Sequence, residues 1–275
     1  MPNYVIKSDK RIEPYKESKI KNTLLRLKIN EEEINEILEL IKKNFPQEKV
    51  RTRDIFKFIF DYLKIKERKE AYSFNLKNAI LKLGPSGYPF EKFMAHLYKL
   101  YGFEAHHNLF LDGKCLKYEI DLLLKKDNFF YIAECKFHQQ PWKKSDVKTI
   151  LYVYGRYLDI KEKFKENSIC LVITNTKFTQ EAIKFSNCYF IELLSWNFPE
   201  ERSLAKLIDE KKAYPLTIFD FLSNKVLQDL FKYDIVLISD FLSKENSYLR
   251  KISNLKIEEI EEIKRKIRLI LGIDK

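Results

Sequence analysis

Two periodicities alternate along this chain. Apolar residues at Phe90, Phe93, Met94, Leu97, Leu100 and Tyr101 recur three or four apart and predict a helix with one buried stripe, opened at Gly87 and closed by Gly102. Over residues 118–124 the period falls to two, Lys125-Lys126-Asp127-Asn128 is a polar turn, and residues 129–133 form a second strand. Beyond this hairpin come a basic helix capped by Ser145-Asp146 and running to about Lys165, a strand over 170–174, another helix, and a strand over 189–193. With the strand-rich stretch before the hairpin, the order reads αβββαβαβ.

The segment before this core has its own rhythm. Residues 4–7 read as a strand, Ser8-Asp9-Lys10 as a turn and residues 11–13 as the returning strand, followed by helices over about 16–27, 31–44, 52–64 and 68–83. After Pro199 strand character fades. Leu222, Val226, Leu227, Leu230, Val236, Leu237, Phe241 and Leu242 are spaced as short amphipathic helices, and Ile257, Ile260, Ile263, Ile267, Ile270 and Leu271 line one face of a last helix. The expected class is α+β and multidomain: a small β-hairpin capping a helical bundle over 1–84, a central αβββαβ core over 85–198, and a helical C-terminal region over 199–275.

Charge narrows the choice of partner. Lys and Arg number 51 against 40 Asp and Glu, and the formal net charge of +11 suits a polyanion. The four cysteines, Cys115, Cys135, Cys170 and Cys188, are widely spaced with no C-x-x-C pair, so no zinc ribbon is expected, and Cys135 and Cys170 read as small core residues. Charged or polar residues interrupt every apolar stretch before it reaches membrane-spanning length, so the expectation is a soluble cytoplasmic protein with no membrane partner.

The hairpin carries the candidate chemistry. Asp121 falls on its first strand and Glu134 and Lys136 on its second, where residues two apart share a face and Cys135 points away, leaving only the Cys135 backbone carbonyl able to reach the site. Hard cations such as Mg²⁺ take oxygen ligands, commonly one or two carboxylates completed by water and substrate phosphate. Asp121 and Glu134 meet that need, and Lys136 can orient an attacking water and offset charge on phosphorus. Ordinary solvated strand residues are the competing reading of so short a motif.

The helix, the hairpin with Asp121 and Glu134-Cys135-Lys136, and the segment Val172-Ile173-Thr174-Asn175-Thr176-Lys177-Phe178-Thr179-Gln180-Glu181-Ala182 together resemble the PD-(D/E)xK nuclease superfamily, most closely its Mrr-like restriction endonuclease branch. They are also similar to archaeal Holliday-junction resolvases. The resemblance covers about residues 85–198 and implies a catalytic centre of Glu91, Asp121, Glu134 and Lys136. Its metal, Mg²⁺ or Mn²⁺, would be held by Asp121, Glu134, the Cys135 carbonyl and Glu91. Glu119-Ile120-Asp121 stands where the family has its proline-aspartate element.

A second resemblance covers about residues 1–84. Val5, Lys7, Asp9, Arg11, Glu13, Pro14, Tyr15, Lys19 and Ile20, with Thr52-Arg53-Asp54-Ile55 further on, are similar to the ATP-cone, a regulatory nucleotide-binding domain. This implies ATP or dATP as a regulatory ligand. Lys7, Arg11 and Lys19 would converge on the phosphates, Val5 and Ile20 would flank the base, and Thr52 would offer a hydroxyl. Lys10 replaces the glycine usual in the hairpin turn, and Phe56 stands where some members place a polar base contact. The chain lacks the long barrel of a reductase and the zinc ribbon of a repressor.

Three further features bear on substrate. His138-Gln139-Gln140-Pro141-Trp142-Lys143-Lys144 reads as a loop near the site, and the next helix interleaves Lys148, Arg156, Lys161, Lys163 and Lys165 with Tyr152, Tyr154 and Tyr157, a pattern that suits phosphate contact and stacking, although packing on the sheet is the favoured reading of each tyrosine. The C-terminal helices suit DNA recognition, packing or dimerisation, and a homodimer is expected because a duplex has two strands to cut. The favoured function is a metal-dependent, type IV restriction-like DNA endonuclease regulated by adenine nucleotide, in defence against foreign DNA or in repair. A non-catalytic, nucleotide-responsive DNA sensor and a junction-specific nuclease are the alternatives.

Overall fold

A computed structural model of the chain describes residues 2–66, 70–164 and 167–272. Packing divides them into two units, Met1–Lys77 with Glu258–Lys275, and Asn78–Ile257. The expected C-terminal region is therefore shared: its opening helices fall in the unit of the central sheet and its last helix in the unit of the N-terminal segment.

In the first unit β1 (Tyr4–Ile6) and β2 (Ile12–Pro14) form the expected antiparallel hairpin, with Val5 opposite Glu13. Lys10 turns the chain at φ 67°, the left-handed conformation that glycine adopts most readily. Helices α1 (Glu17–Arg26) and α2 (Glu31–Asn44) follow, and the Asn30 side chain caps α2 by accepting from Glu33 N at 2.8 Å. Next, β3 (Lys49–Arg51) pairs parallel to β1, giving the order β2-β1-β3. Three residues with one apolar position are too few to show a period, so the sequence pattern does not reveal this strand. Helix α3 (Thr52–Ile65) is followed by α4 (Glu70–Phe74) and α5 (Leu76–Leu81) in place of one continuous helix; the expected start at residue 68 lies outside the described residues. Leu24, Ile34, Ile37, Ile41, Ile55, Ile59 and Leu63 are buried on the helix faces that the 3.6-residue period assigns inward.

The second unit is built on a five-stranded sheet. Its leading helix α6 (Tyr88–Leu100) lies against the antiparallel strands β4 (Glu104–Asp112) and β5 (Lys117–Lys126). Strand β6 (Phe129–Lys136) completes the hairpin, a two-residue ladder begins at β7 (Lys144–Ser145), and α7 (Val147–Ile160) crosses over to β8 (Ser168–Thr174), which runs parallel to β6. After β9 (Lys177–Phe178), the partner of β7, helix α8 (Gln180–Cys188) leads to β10 (Glu192–Leu194), and the sheet order is β10-β8-β6-β5-β4. The αβββαβαβ order holds, but the last strand starts three residues later than its aromatic run suggests: Tyr189 ends α8, and Phe190 turns the chain at φ 54° with its ring in solvent.

Helices α7 and α8 cover one sheet face, where Ile150, Val153, Cys170, Val172, Phe178, Ala182, Ile191 and Leu193 form one apolar cluster and Ile120, Ile132 and Ile160 another. Tyr154 and Tyr157 pack against these clusters, which assigns them to the sheet, while Tyr152 is exposed. Cys135 and Cys170 are buried and Cys115 and Cys188 exposed, all as free thiols.

Helices α9 (Leu204–Lys211), α10 (Asn224–Lys232), α11 (Ile238–Ser243) and α12 (Asn246–Ser253) belong to the same unit. They are fastened to α6 by polar contacts the sequence did not announce. Lys92, buried to 2% exposure, donates from Nζ to the Phe231 carbonyl at 2.7 Å and pairs with Asp234 at 2.7 Å, so it caps the end of α10. His96 Nδ1 lies 3.1 Å from Asp240 Oδ2, and the Tyr101 hydroxyl donates to the Leu207 carbonyl at 3.0 Å. Helix α13 (Ile257–Leu271) buries Ile260 and Ile267 on its expected face. Among the described residues no helix is long and apolar enough to cross a membrane.

Candidate active site and nucleotide pocket

The hairpin forks where the candidate residues sit. β5 and β6 pair from Lys126↔Phe129 up to Leu122↔Ala133, and there the ladder stops. β6 stays paired to β8 through Glu134↔Val172 and on to Lys136↔Thr174, so it is held on one edge and released on the other. Across the fork the Cys135 N–H donates to Asp121 Oδ2 at 2.8 Å, a side-chain acceptor taking the place of a ladder carbonyl. A carboxylate is thereby fixed beside the second strand without a backbone group left unpaired.

Alternation places Glu134 and Lys136 on the α7 side, the face of Ile132. Glu134 is 7% exposed and its two oxygens are both taken: Lys136 Nζ donates to Oε1 at 2.6 Å and Arg156 Nη1 to Oε2 at 2.9 Å. Arg156, which the sequence groups with the surface cations of its helix, is instead turned inward. The segment beyond the fork is pinned by Asn175, whose Oδ1 accepts from His138 N and whose Nδ2 donates to the His138 carbonyl, each at 2.8 Å. Thr174 Oγ1 donates to the Lys136 carbonyl at 2.7 Å. His138 itself faces Ser145 Oγ at 3.1 Å, and Gln139 donates to the Pro85 carbonyl at 3.1 Å, so both are tied into the protein. Lys143 and Lys144 are exposed, and Lys165 lies outside the described residues.

Glu91, on the first turn of α6, belongs electrostatically to the same group. Burial first, then the charges of Asp121, Glu119 and Glu134, push its carboxyl up to about 7 against the opposing pull of Lys136. Burial and Glu134 push Asp121 up to about 6, opposed by the Cys135 N–H, Lys136 and Arg156. Gly87 opens room for Glu91, since a Cβ there would stand 3.1 Å from Glu91 Oε1. This is a set of hard oxygen donors whose mutual repulsion a divalent cation relieves, and it fits Mg²⁺ or Mn²⁺. As the side chains stand, no three His, Cys, Asp or Glu among the described residues are gathered closely enough to ligate an ion. Magnesium requires no such cage when substrate phosphate completes its shell.

In the first unit a cavity of about 180 Å³ opens between the hairpin and α1, α3 and α4. Val5, Lys7, Lys19, Ile20 and Thr52 all line it, and so do Tyr15, Phe56 and Phe74. The Phe56 and Phe74 rings stack 4.0 Å apart. The hydroxyls of Thr52 and Tyr15 are buried with no hydrogen-bond partner among the described residues. Apolar walls, two unanswered hydroxyls and lysines suit a nucleotide. Lys7 and Lys19 each stand 3.5 Å from Glu13 Oε2, and Lys7 foremost holds that carboxyl below its usual range. Arg11 is not among the lining residues; its Nε pairs with Asp9 at 2.6 Å.

Comparison with known proteins agrees with both halves. Residues 3–76 match the ATP cone domain and residues 84–197 match the Mrr-type catalytic domain described as restriction endonuclease. The chain carries an ATP-cone domain followed by an Mrr-type restriction endonuclease domain. A curated relative from Archaeoglobus fulgidus, described as an uncharacterized protein, is 34% identical over 180 residues, which are 65% of this chain and 100% of that protein. A crystal structure of a protein of unknown function aligns with TM-score 0.61 and 31% identity over 68% of this chain and 100% of its own. The MspJI restriction endonuclease, solved with an oligonucleotide, aligns at TM-score 0.33 and 12% identity over 46% of this chain and 29% of that one, and nothing is carried over from it.

The raised carboxyls of the endonuclease domain give a pH prediction. Ionising Glu91 and Asp121 costs the folded chain more than the unfolded one, so stability falls as pH rises from about 4 through about 6 to 7. In chelator at pH 8, Glu91→Gln should stabilise the protein by about 1 to 2 kcal/mol, discounted for the solvent that reaches the site, and should do little at pH 4. Urea midpoints at the two pH values check this; equal effects at both would mean that Glu91 is not repelled by its neighbours.

Proposed function

We propose that the protein is a metal-dependent DNA endonuclease whose activity responds to ATP or dATP. The observation that supports this reading is the fork of β5 and β6, where Asp121 accepts from the Cys135 N–H and Glu134 is held by Lys136, with Glu91 coupled to both carboxylates electrostatically. In this reading Asp121 and Glu134 hold the metal, with Glu91 assisting through water. The bound ion supplies charge stabilisation on the phosphate and a more acidic water. Lys136 positions the attacking water and places positive charge near the oxygens on which charge develops. Glu91, its carboxyl pushed up to about 7 by burial and by the neighbouring carboxylates, would be ionised more readily beside a bound cation. DNA is the substrate that the net charge of +11 favours, with exposed Lys143 and Lys144 beside the site as phosphate contacts.

Supercoiled plasmid with Mg²⁺ tests the chemistry. Asp121→Ala and Glu134→Ala should each lower cleavage by about a thousandfold or more while leaving DNA retained on a filter, since loss of one well-placed stabilising group commonly costs about that much. Wild-type cleavage rates in both variants would refute the assignment.

Regulation is read from the cavity of the ATP-cone. Lys7 and Lys19 would exchange Glu13 for phosphate, and Thr52 and Tyr15 would meet the ligand with their free hydroxyls. Coupling between nucleotide and nuclease of about 1 to 3 kcal/mol would change cleavage roughly 5-fold to 150-fold. Lys19→Ala should remove calorimetric ATP binding and the nucleotide response together, with basal Mg²⁺-dependent cleavage intact. Tight ATP binding by the wild type with no change in cleavage, DNA affinity or mass would exclude regulation.

A further inference from the structure

Arg156 stands apart from the other cations of its helix and of the turn that follows. Lys148, Lys161 and Lys163 are exposed, whereas the Arg156 side chain is 14% exposed and fixed on several sides. Nη1 donates to Glu134 Oε2 at 2.9 Å, Nη2 donates to the Glu119 carbonyl, and the guanidinium carbon lies 5.5 Å from the Tyr118 ring centre and 5.6 Å from that of Tyr152. Lys136 holds the other oxygen of Glu134. The carboxylate proposed to bind metal is thus already satisfied by two internal cations.

A divalent ion arriving at Glu134 meets two obstacles: an occupied oxygen and a neighbouring positive charge. Of the two partners, Lys136 is a flexible ammonium on the same strand, able to swing from carboxylate to water, while the planar guanidinium is anchored by contacts that Glu134 does not supply. We infer that Arg156 is a latch on the metal centre, a positioning residue that occupies Glu134 Oε2 in the metal-free protein and competes with the divalent cation for it. A DNA phosphate offers the released Nη1 a replacement acceptor, so substrate and metal reinforce each other's binding. The latch keeps the buried Glu134 carboxylate paired when no substrate is present, and it rests on the proposed metal-dependent reading of the site.

Calorimetric titration of Mn²⁺ into the full chain at pH 8, without DNA, separates the possibilities. Arg156→Met removes the competing charge and should tighten the Mn²⁺ dissociation constant by about tenfold or more, with Arg156→Lys between it and the wild type. A phosphorothioate duplex should tighten Mn²⁺ binding to the wild type more than to Arg156→Met, because its phosphate completes the metal's shell in both proteins but releases a guanidinium only in the wild type. Circular dichroism in chelator establishes that each variant is folded; if Arg156→Met is not, the folded Arg156→Lys protein carries the comparison, with a several-fold tightening expected. Unchanged or weaker Mn²⁺ binding in a folded variant overturns the latch while the metal site stands. A wild type that binds no Mn²⁺, with or without the duplex, overturns both.

Discussion

The hydrogen bond from the Cys135 amide to the Asp121 carboxylate is the contact on which the endonuclease site depends. It lets β5 and β6 diverge just beyond Leu122↔Ala133 without leaving the Cys135 N–H unpaired. Because β6 remains tied to β8 as far as Lys136, the fork opens on one side only, and Glu134 and Lys136 keep a fixed alternation beneath α7. The rest of the unit serves this geometry. Asn175 and Thr174 hold the chain leaving β6, and Lys92 fastens the C-terminal helices to the helix that bears Glu91.

Electrostatics at the fork is a balance between crowding and compensation. Burial and mutual repulsion disfavour charge on Glu91 and Asp121, while Lys136 and Arg156 pull the other way. In the proposed reading a metal ion and a phosphate would take the place of protons and internal cations here, so the same contacts would bear on stability, metal affinity and substrate response. The ATP-cone follows a related logic on a smaller scale. Glu13 pairs with Lys7 and Lys19, and the hydroxyls of Thr52 and Tyr15 have no partner among the described residues in a cavity with largely apolar walls.

The sequence made the long elements legible because their periods extend over many residues, as in the stripe from Phe90 to Leu97 and the alternation on β5. It failed where length or context removed the period. The strand Lys49–Arg51 has one apolar residue, and the run from Tyr189 looked like a strand because aromatic residues favour sheets, although a left-handed Phe190 ends the helix there. At the candidate site, the placement of Asp121, Glu134 and Lys136 at one end of a hairpin was legible from their spacing. Arg156 was not: it lies 22 residues from Glu134 on a helix rich in cations, and only the crossover over the sheet brings it inward. Arg11 stands apart from the cavity lining, since Asp9, two residues away, pairs with it locally. Lys92 sits between Phe90 and Phe93 on an otherwise apolar helix face, a signal of buried charge that has meaning only once Asp234 and the end of α10 are in place.

The proposed divalent metal centre is tested most directly by anomalous scattering from crystals of the full chain grown with Mn²⁺. One peak should appear at the fork of β5 and β6, within about 2.0 to 2.4 Å of carboxylate oxygens of Asp121 and Glu134, the range usual for small divalent ions on oxygen ligands. Ordered density for both side chains with no peak between them, or a peak only elsewhere in the molecule, would contradict it.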